Sequence, residues 1–488
     1  MNKIHSVKYN LAMNAILKVA NIIYPIITFP YVSRILLPAG TGKASFGASV
    51  VTYFLLAAQL GIPVYGIREC GRVRDDKEKL TRLVHELLII NTATMTLAYA
   101  AFIICIFAIP RLSADKPLFL TCGLAIFLNV LGVEWLYQGL EQYQYITIRS
   151  VVFKAIALAA TFLLIHTQKD YVIYAGITVF ASAGSYVLNF INLRKIVPMR
   201  WLGGYHVRRH LRPVLIFLGL AASIEIYNSV DKVMLGFMKT DAEVGYYNAA
   251  VKVKNVLVAF LGSVGSVTLP RASNYMKKGR MDDFRKMSAK ALNGMLVLAV
   301  PIMVYFIFFA KECILFLSGN DYLPSIAPMQ FLMPTVLLIG ITSITGTQML
   351  VPMDKQKYVF YSTLGGAVID VIVNALLIPG MNSTGAAIGT LVAEIVVLII
   401  QVKALGPVLP PLLANISYGK IILGTFAATL ASIWLKMTGL RNFIILIAGA
   451  AVFFAVYFGL LCLMKEKMTV SIVQGVAGRL KHRSRPKE

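Results

Sequence analysis

Charge is scarce in this chain of 488 residues, where Asp, Glu, Lys and Arg make up 14% against about 25% in an ordinary soluble domain. Acids are scarcest: 22 Asp and Glu stand against 47 Lys and Arg, a formal net charge of +25. Cysteine is rare and scattered, at Cys70, Cys105, Cys122, Cys313 and Cys462, which leaves neither a disulfide framework nor a cysteine metal cluster. The sequence holds no GxGxxG after a strand, no HExxH, no CxxC and no serine nucleophile elbow, so the common dinucleotide, zinc and acyl-transfer signatures are absent. Long hydrophilic stretches are missing too. The largest, 68–82, 194–212, 271–290 and the tail after Met464, are too short for a soluble catalytic domain. Neither a cofactor nor a metal is expected.

What remains is apolar. Hydrophobic residues make up 58% of the chain and the mean hydropathy is +0.73, a composition that belongs in a bilayer. About 20 apolar residues cross the hydrocarbon core as a helix, and the pattern predicts an all-α membrane protein of about fourteen spans, from 11–34 and 44–66 to 421–435 and 442–463. The polar interruptions Asn14, Lys18 and Asn21 and the lack of a small-residue cleavage site make the first stretch a retained span rather than a signal peptide. Basic residues mark cytoplasmic loops. Six Lys or Arg lie in 68–82, six in 194–212, seven in 271–290 and seven after Met464, while PGMNST at 379–384 has none. An even number of spans with both termini cytoplasmic satisfies this distribution. The same basic face suits anionic lipid headgroups, and nucleic acid is not an expected partner.

The stretch Leu36 to Ser45 reads LLPAGTGKAS and resembles a phosphate loop. The pattern GxxxxGK[ST] needs a glycine where Leu37 stands and a hydroxyl where Ala44 stands, so nucleotide binding is excluded. A tight outward turn is expected instead, with Pro38, Gly40 and Gly42 supplying the bends.

Gly42 to Arg68 aligns with Gly245 to Arg271 at a constant offset, each running from a glycine to an arginine across one span, and both following loops carry an Asp-Asp pair, Asp75-Asp76 and Asp282-Asp283. The equivalent spans are six apart and share an orientation. Two six-helix halves are therefore expected around an axis along the membrane normal, with the path between them. The expected parts are 1–193, a basic linker 194–213, 214–405, two further spans in 406–464 and a basic tail 465–488.

Charges within spans face a protein interior or a wet cavity. Asn14, Lys18 and Asn21, continued by Pro25 and Thr28, draw a stripe along one helix face; Asn248, Lys252 and Asn255, continued by Gly262 and Ser266, repeat it, and Glu225, Asn228 and Lys232 form a third, with Asp231 beside them. Lys252 lies roughly 10 Å deep at 1.5 Å per residue. Together with Arg34, these residues outline a hydrated cationic cavity suited to an anion such as a diphosphate. Lys154 and Arg34 can also snorkel to the interface, and Lys232 can pair with Asp231 or Glu225. Asp370, with Asn374, and Glu394 are candidates for proton or sodium binding, or for helix packing.

The segments YGIRE, VRDDKEKL, DKVMLG, EVGYYNAA, YLPSIAPMQFLMPT and NSTGAAIGT resemble those of the Wzx-type polysaccharide-biosynthesis flippases from about residue 10 to 405. The resemblance implies a fold shared with MATE exporters and lipid II flippases, two six-helix bundles plus two C-terminal helices. It implies a bacterial inner-membrane protein, not an enzyme. Its substrate would be an undecaprenyl-diphosphate-linked oligosaccharide, moved to the outer leaflet by alternating access for O-antigen, capsule or exopolysaccharide, with H+ or Na+ as coupling ion and a polysaccharide polymerase as neighbour. On this reading the substrate candidates are Lys18, Arg34, Lys232 and Lys252 with Asn21 and Asn255, and the ion candidates are Glu225, Asp231, Asp370 and Glu394. A cation-coupled drug exporter would favour an acidic lumen. A lipid II flippase shares fewer of these motifs, and a membrane polymerase or ligase would need a larger outward loop than 310–324.

Overall fold

Helices begin where the sequence supplies caps. In a computed structural model, which describes residues 6–265, 269–414, 416–466 and 468–470, the Ser6 hydroxyl accepts from the backbone N–H of Tyr9 at the start of the helix Val7–Gln59. Asp76 caps Lys77–Ala108, accepting from the N–H of Lys79 at 3.0 Å, and that hydrogen bond with the Lys79 ammonium holds its carboxyl below the usual range. The structure is 89% helical, with no strand among the described residues. Among the described residues, eleven helices are long and apolar enough to cross a membrane.

Eleven is fewer than the fourteen expected, and the helices themselves account for the difference. Val7–Gln59 contains two expected spans joined at a single residue, Leu37 (φ 58°, ψ 178°), and Gln356–Leu405 contains two joined at Asn382 (φ 52°, ψ −133°). Asp241–Gly265 carries Lys252 and Lys254 and is not among the eleven. The expectation of a tight outward turn in LLPAGTGKAS, bent by Pro38, Gly40 and Gly42, needs correction. Leu37 alone makes the bend, Pro38 restarts the helix as its first residue, and both glycines are helical.

Those glycines serve close approach. A Cβ on Gly42 would lie 1.7 Å from the carbonyl oxygen of Asp241, and one on Gly245 would lie 2.1 Å from that of Pro38. The contact is reciprocal in the register of the sequence repeat, since 38 stands to 241 as 42 stands to 245. Arg111 fastens the same corner, donating to the carbonyl of Gly236 at 2.7 Å and pairing with the Asp241 carboxylate.

The chain divides into two compact units, Met1–Asn248 and Ala249–Glu488. The first has a core of Ile62, Leu83, Val84, Leu87, Leu136 and Tyr137. The second buries Tyr305, Phe309, Phe453 and Tyr457, with the Tyr305 and Phe309 rings stacked at 4.7 Å. Ser266 and the tail beyond residue 470, both part of the expectations above, lie outside the described residues.

Candidate functional site

In the first unit, Lys18, Asn21 and Arg34 project from Val7–Gln59 and are exposed on the isolated chain. Arg34 donates to the carbonyl of Pro30 at 2.5 Å, one turn back on its own helix. No ion pair to Lys18 occurs among the described residues. On Arg208–Met238, Glu225 accepts from the Ser229 hydroxyl at 2.7 Å and buried Asp231 accepts from the Tyr247 hydroxyl. Asp231 and Glu225 are thus engaged by hydroxyls, and Lys232, directly after Asp231 in sequence, is half-buried. Lys154 donates to Ser150 one turn earlier at 2.6 Å, so it is held by its own helix.

In the second unit, Lys252 is half-buried in Asp241–Gly265, and among the described residues it forms no ion pair; Asn255 is exposed one turn on. Asp370, Asn374, Thr390 and Glu394 are all buried, at 0 to 2% exposure. The bend at Asn382 folds Gln356–Leu405 back so that its second segment meets the first. Asn374 donates to Asp370 at 3.3 Å, and a Cβ on Gly389 would lie 2.1 Å from the Asn374 amide oxygen and 3.1 Å from Asp370 Oδ1. Two residues from one segment thus share a buried polar point with Gly389 of the other. Outside the spans, Glu466 is buried; burial alone would raise its pKa, but hydrogen bonds from Thr469 and Asn293 outweigh this and hold it below the usual range.

The profile of the polysaccharide biosynthesis proteins matches residues 7–276. The chain belongs to this family, that of the Wzx-type flippases. A second profile, MatE, matches residues 221–376. The "Putative O-antigen transporter" of Escherichia coli K12 is 21% identical over 80% of this chain and 95% of its own length. A protein of the same name from Shigella dysenteriae is 24% identical over 81% of this chain and 99% of its own. Among solved structures, lipid II flippase MurJ in an inward closed conformation has a TM-score of 0.75 at 16% identity, covering 94% of this chain and 99% of that one, which establishes a shared fold. The flippase is accordingly a multi-pass membrane transporter of the bacterial inner membrane.

Two ionic groups in the flippase had no signal in the motif reading. Arg149, itself buried, pairs with Glu134 at 2.6 Å; the two are fifteen residues apart on different helices, so sequence spacing could not reveal the pair. Glu86 is wholly buried and accepts from Arg209 at 2.6 Å, from the N–H of His206 at 2.7 Å and from His210 at 2.7 Å, while the Tyr65 hydroxyl bonds the other face of His210 at 2.6 Å. This network anchors the basic segment 194–212 to the first unit.

Proposed function

We propose that the flippase moves an undecaprenyl-diphosphate-linked oligosaccharide from the cytoplasmic to the outer leaflet by alternating access, supplying O-antigen, capsule or exopolysaccharide assembly. One observation carries this reading: Lys18, in a helix long and apolar enough to cross a membrane, and Lys252, in Asp241–Gly265, are ammonium groups that make no ion pair among the described residues. Such a charge is costly unless an anion or water receives it. A diphosphate supplies that anion, and the family membership supports a lipid-linked substrate. Lys232, Arg34, Asn21 and Asn255 extend the same polar stripes. The repeat of Gly42 to Arg68 at Gly245 to Arg271 supports two halves related by an axis along the membrane normal.

The buried group Asp370, Asn374 and Glu394 is the proposed coupling point for H+ or Na+, because a carboxylate at 0% exposure gains from a bound cation what it lost in hydration. Asp231 and Glu225 are the secondary candidates. The basic loops support cytoplasmic termini and contact with anionic lipid, and a polymerase would receive the product.

The test is surface polymer in a host carrying the Lys18→Ala, Lys252→Ala double variant. Polymer is expected to disappear while the flippase remains in the membrane at its usual abundance. Normal polymer at that abundance would refute the cationic path.

A further inference from the structure

Inside the first unit lies a chamber that the cationic stripes do not explain. Its volume is about 150 Å³, and Gln59, Asn91, Asn129, Glu134, Gln138 and Tyr186 line it. Four carboxamides and a carboxylate facing one space among transmembrane helices are expensive unless something satisfies them. The protein itself leaves part of this capacity unused: Asn91 is buried and its Oδ1 has no hydrogen-bond partner.

The backbone is distorted to build these walls. Lys116–Gly132 stops at Val133, which is left-handed at φ 36°, ψ 33°, and Glu134–Gly139 starts afresh. A β-branched residue in that region is strained. The break is supported from behind, since Asn189 donates to the freed carbonyl of Gly132 and Tyr137 donates to the carbonyl of Asn189 at 2.7 Å. Tyr186 stands one residue beyond a π-helical turn, Phe180–Gly184, a distortion that recurs at functional sites. Arg149 holds Glu134, so the carboxylate and guanidinium offset each other and the chamber is close to neutral.

We infer that this chamber is a subsite for a single sugar ring of the substrate, an inference that rests on the oligosaccharide reading above. The chemistry matches at each point. A sugar hydroxyl both donates and accepts, and a carboxamide offers both roles. Glu134, its charge offset by Arg149 behind it, adds a directional partner without the net charge that a free cation would need. Trp135, whose ring rests on Gly66, joins Tyr186 in the lining and offers aromatic surface to the apolar face of a ring. A volume of about 150 Å³ limits the occupant to a single ring, since a cavity of that size holds one ring of benzene size. An apolar ligand of that size would leave the carboxamides unpaired.

The experiment uses the purified full chain with Trp201→Phe and Trp434→Phe, which leaves Trp135 as the reporter among three tryptophans. The probes are the individual monosaccharides released by acid hydrolysis of the host's own surface polymer. At least one should shift Trp135 emission saturably, and Asn129→Leu with Gln138→Leu should raise the half-saturating concentration about tenfold or more, the loss of two hydrogen bonds. In cells the same pair should lower surface polymer at unchanged membrane abundance. If that pair fails to reach the membrane, Gln59→Leu on another wall is read the same way. No saturable shift with any probe, or a shift that the substitutions leave unaltered, overturns the subsite. Polymer that persists when the whole gene is deleted overturns the flippase reading instead. Polymer lost on deletion but normal in the Asn129, Gln138 variant overturns the subsite alone.

Discussion

Replacing Gly42 by alanine should push apart the two helix starts that meet at Pro38 and Asp241. The added methyl would lie 1.7 Å from the Asp241 carbonyl oxygen, well inside the ordinary carbon–oxygen contact, and the obstacle is backbone, which has no rotamer to adopt. Overpacking of this kind costs about 1–3 kcal/mol. The affected unit has 248 residues, and in a cooperative unit of that size each kcal/mol moves Tm by about 2–4 °C. A cost near 2 kcal/mol therefore lowers Tm by about 4–8 °C, measurable by intrinsic fluorescence during heating of the purified protein. Gly245→Ala should do the same, since its methyl would meet the Pro38 carbonyl at 2.1 Å. Because both methyls open one contact, the double variant should lose less than the two single losses combined, by about 1 kcal/mol. Unchanged Tm in Gly42→Ala, or strictly additive losses in the pair, would refute the reciprocal contact.

Arg149→Met leaves Glu134 without its cation, although a third of the Glu134 side chain is exposed, so the cost should sit at the lower end for a broken buried pair, about 3 kcal/mol. A large fall in thermal stability, partly recovered on adding Glu134→Gln, is expected; equal stability of Arg149→Met and the parent would count against the pair. Glu466 accepts from Thr469 and Asn293 as a carboxylate, and its folded pKa lies below the unfolded value of 4.5. Its stabilisation is thus present above that value and fades as pH falls through the lower, folded pKa. Glu466→Gln should flatten the acid limb of a stability profile recorded from pH 6 to 3; an identical limb in both proteins would contradict the assignment.

Much of the flippase was legible before any coordinates. Hydrophobic runs depend only on local composition, so the span 442–463 and the all-helical class follow from the residues. The polar stripes at Lys18 and Lys252 were visible for the same reason, as helical periodicity is a property of adjacent turns. The bends were harder to read. Leu37 and Asn382 carry the positive φ that a reader would assign to Gly40, Gly42 or Gly380, because those glycines are needed for close packing or lie in an unbroken helix.

Length, apolar fraction and the asymmetry of basic loops determined by themselves that this chain is a multi-span membrane protein, since bilayer insertion is governed by transfer free energies that add residue by residue. Only the tertiary structure decided which charges meet. Arg149 finds Glu134, His210 finds Glu86, and Asp241 finds Arg111 across distances of 15, 124 and 130 residues. Such pairs are chosen by geometry, because a buried charge is stable only where folding brings its partner within about 3–4 Å, and no local pattern encodes that meeting.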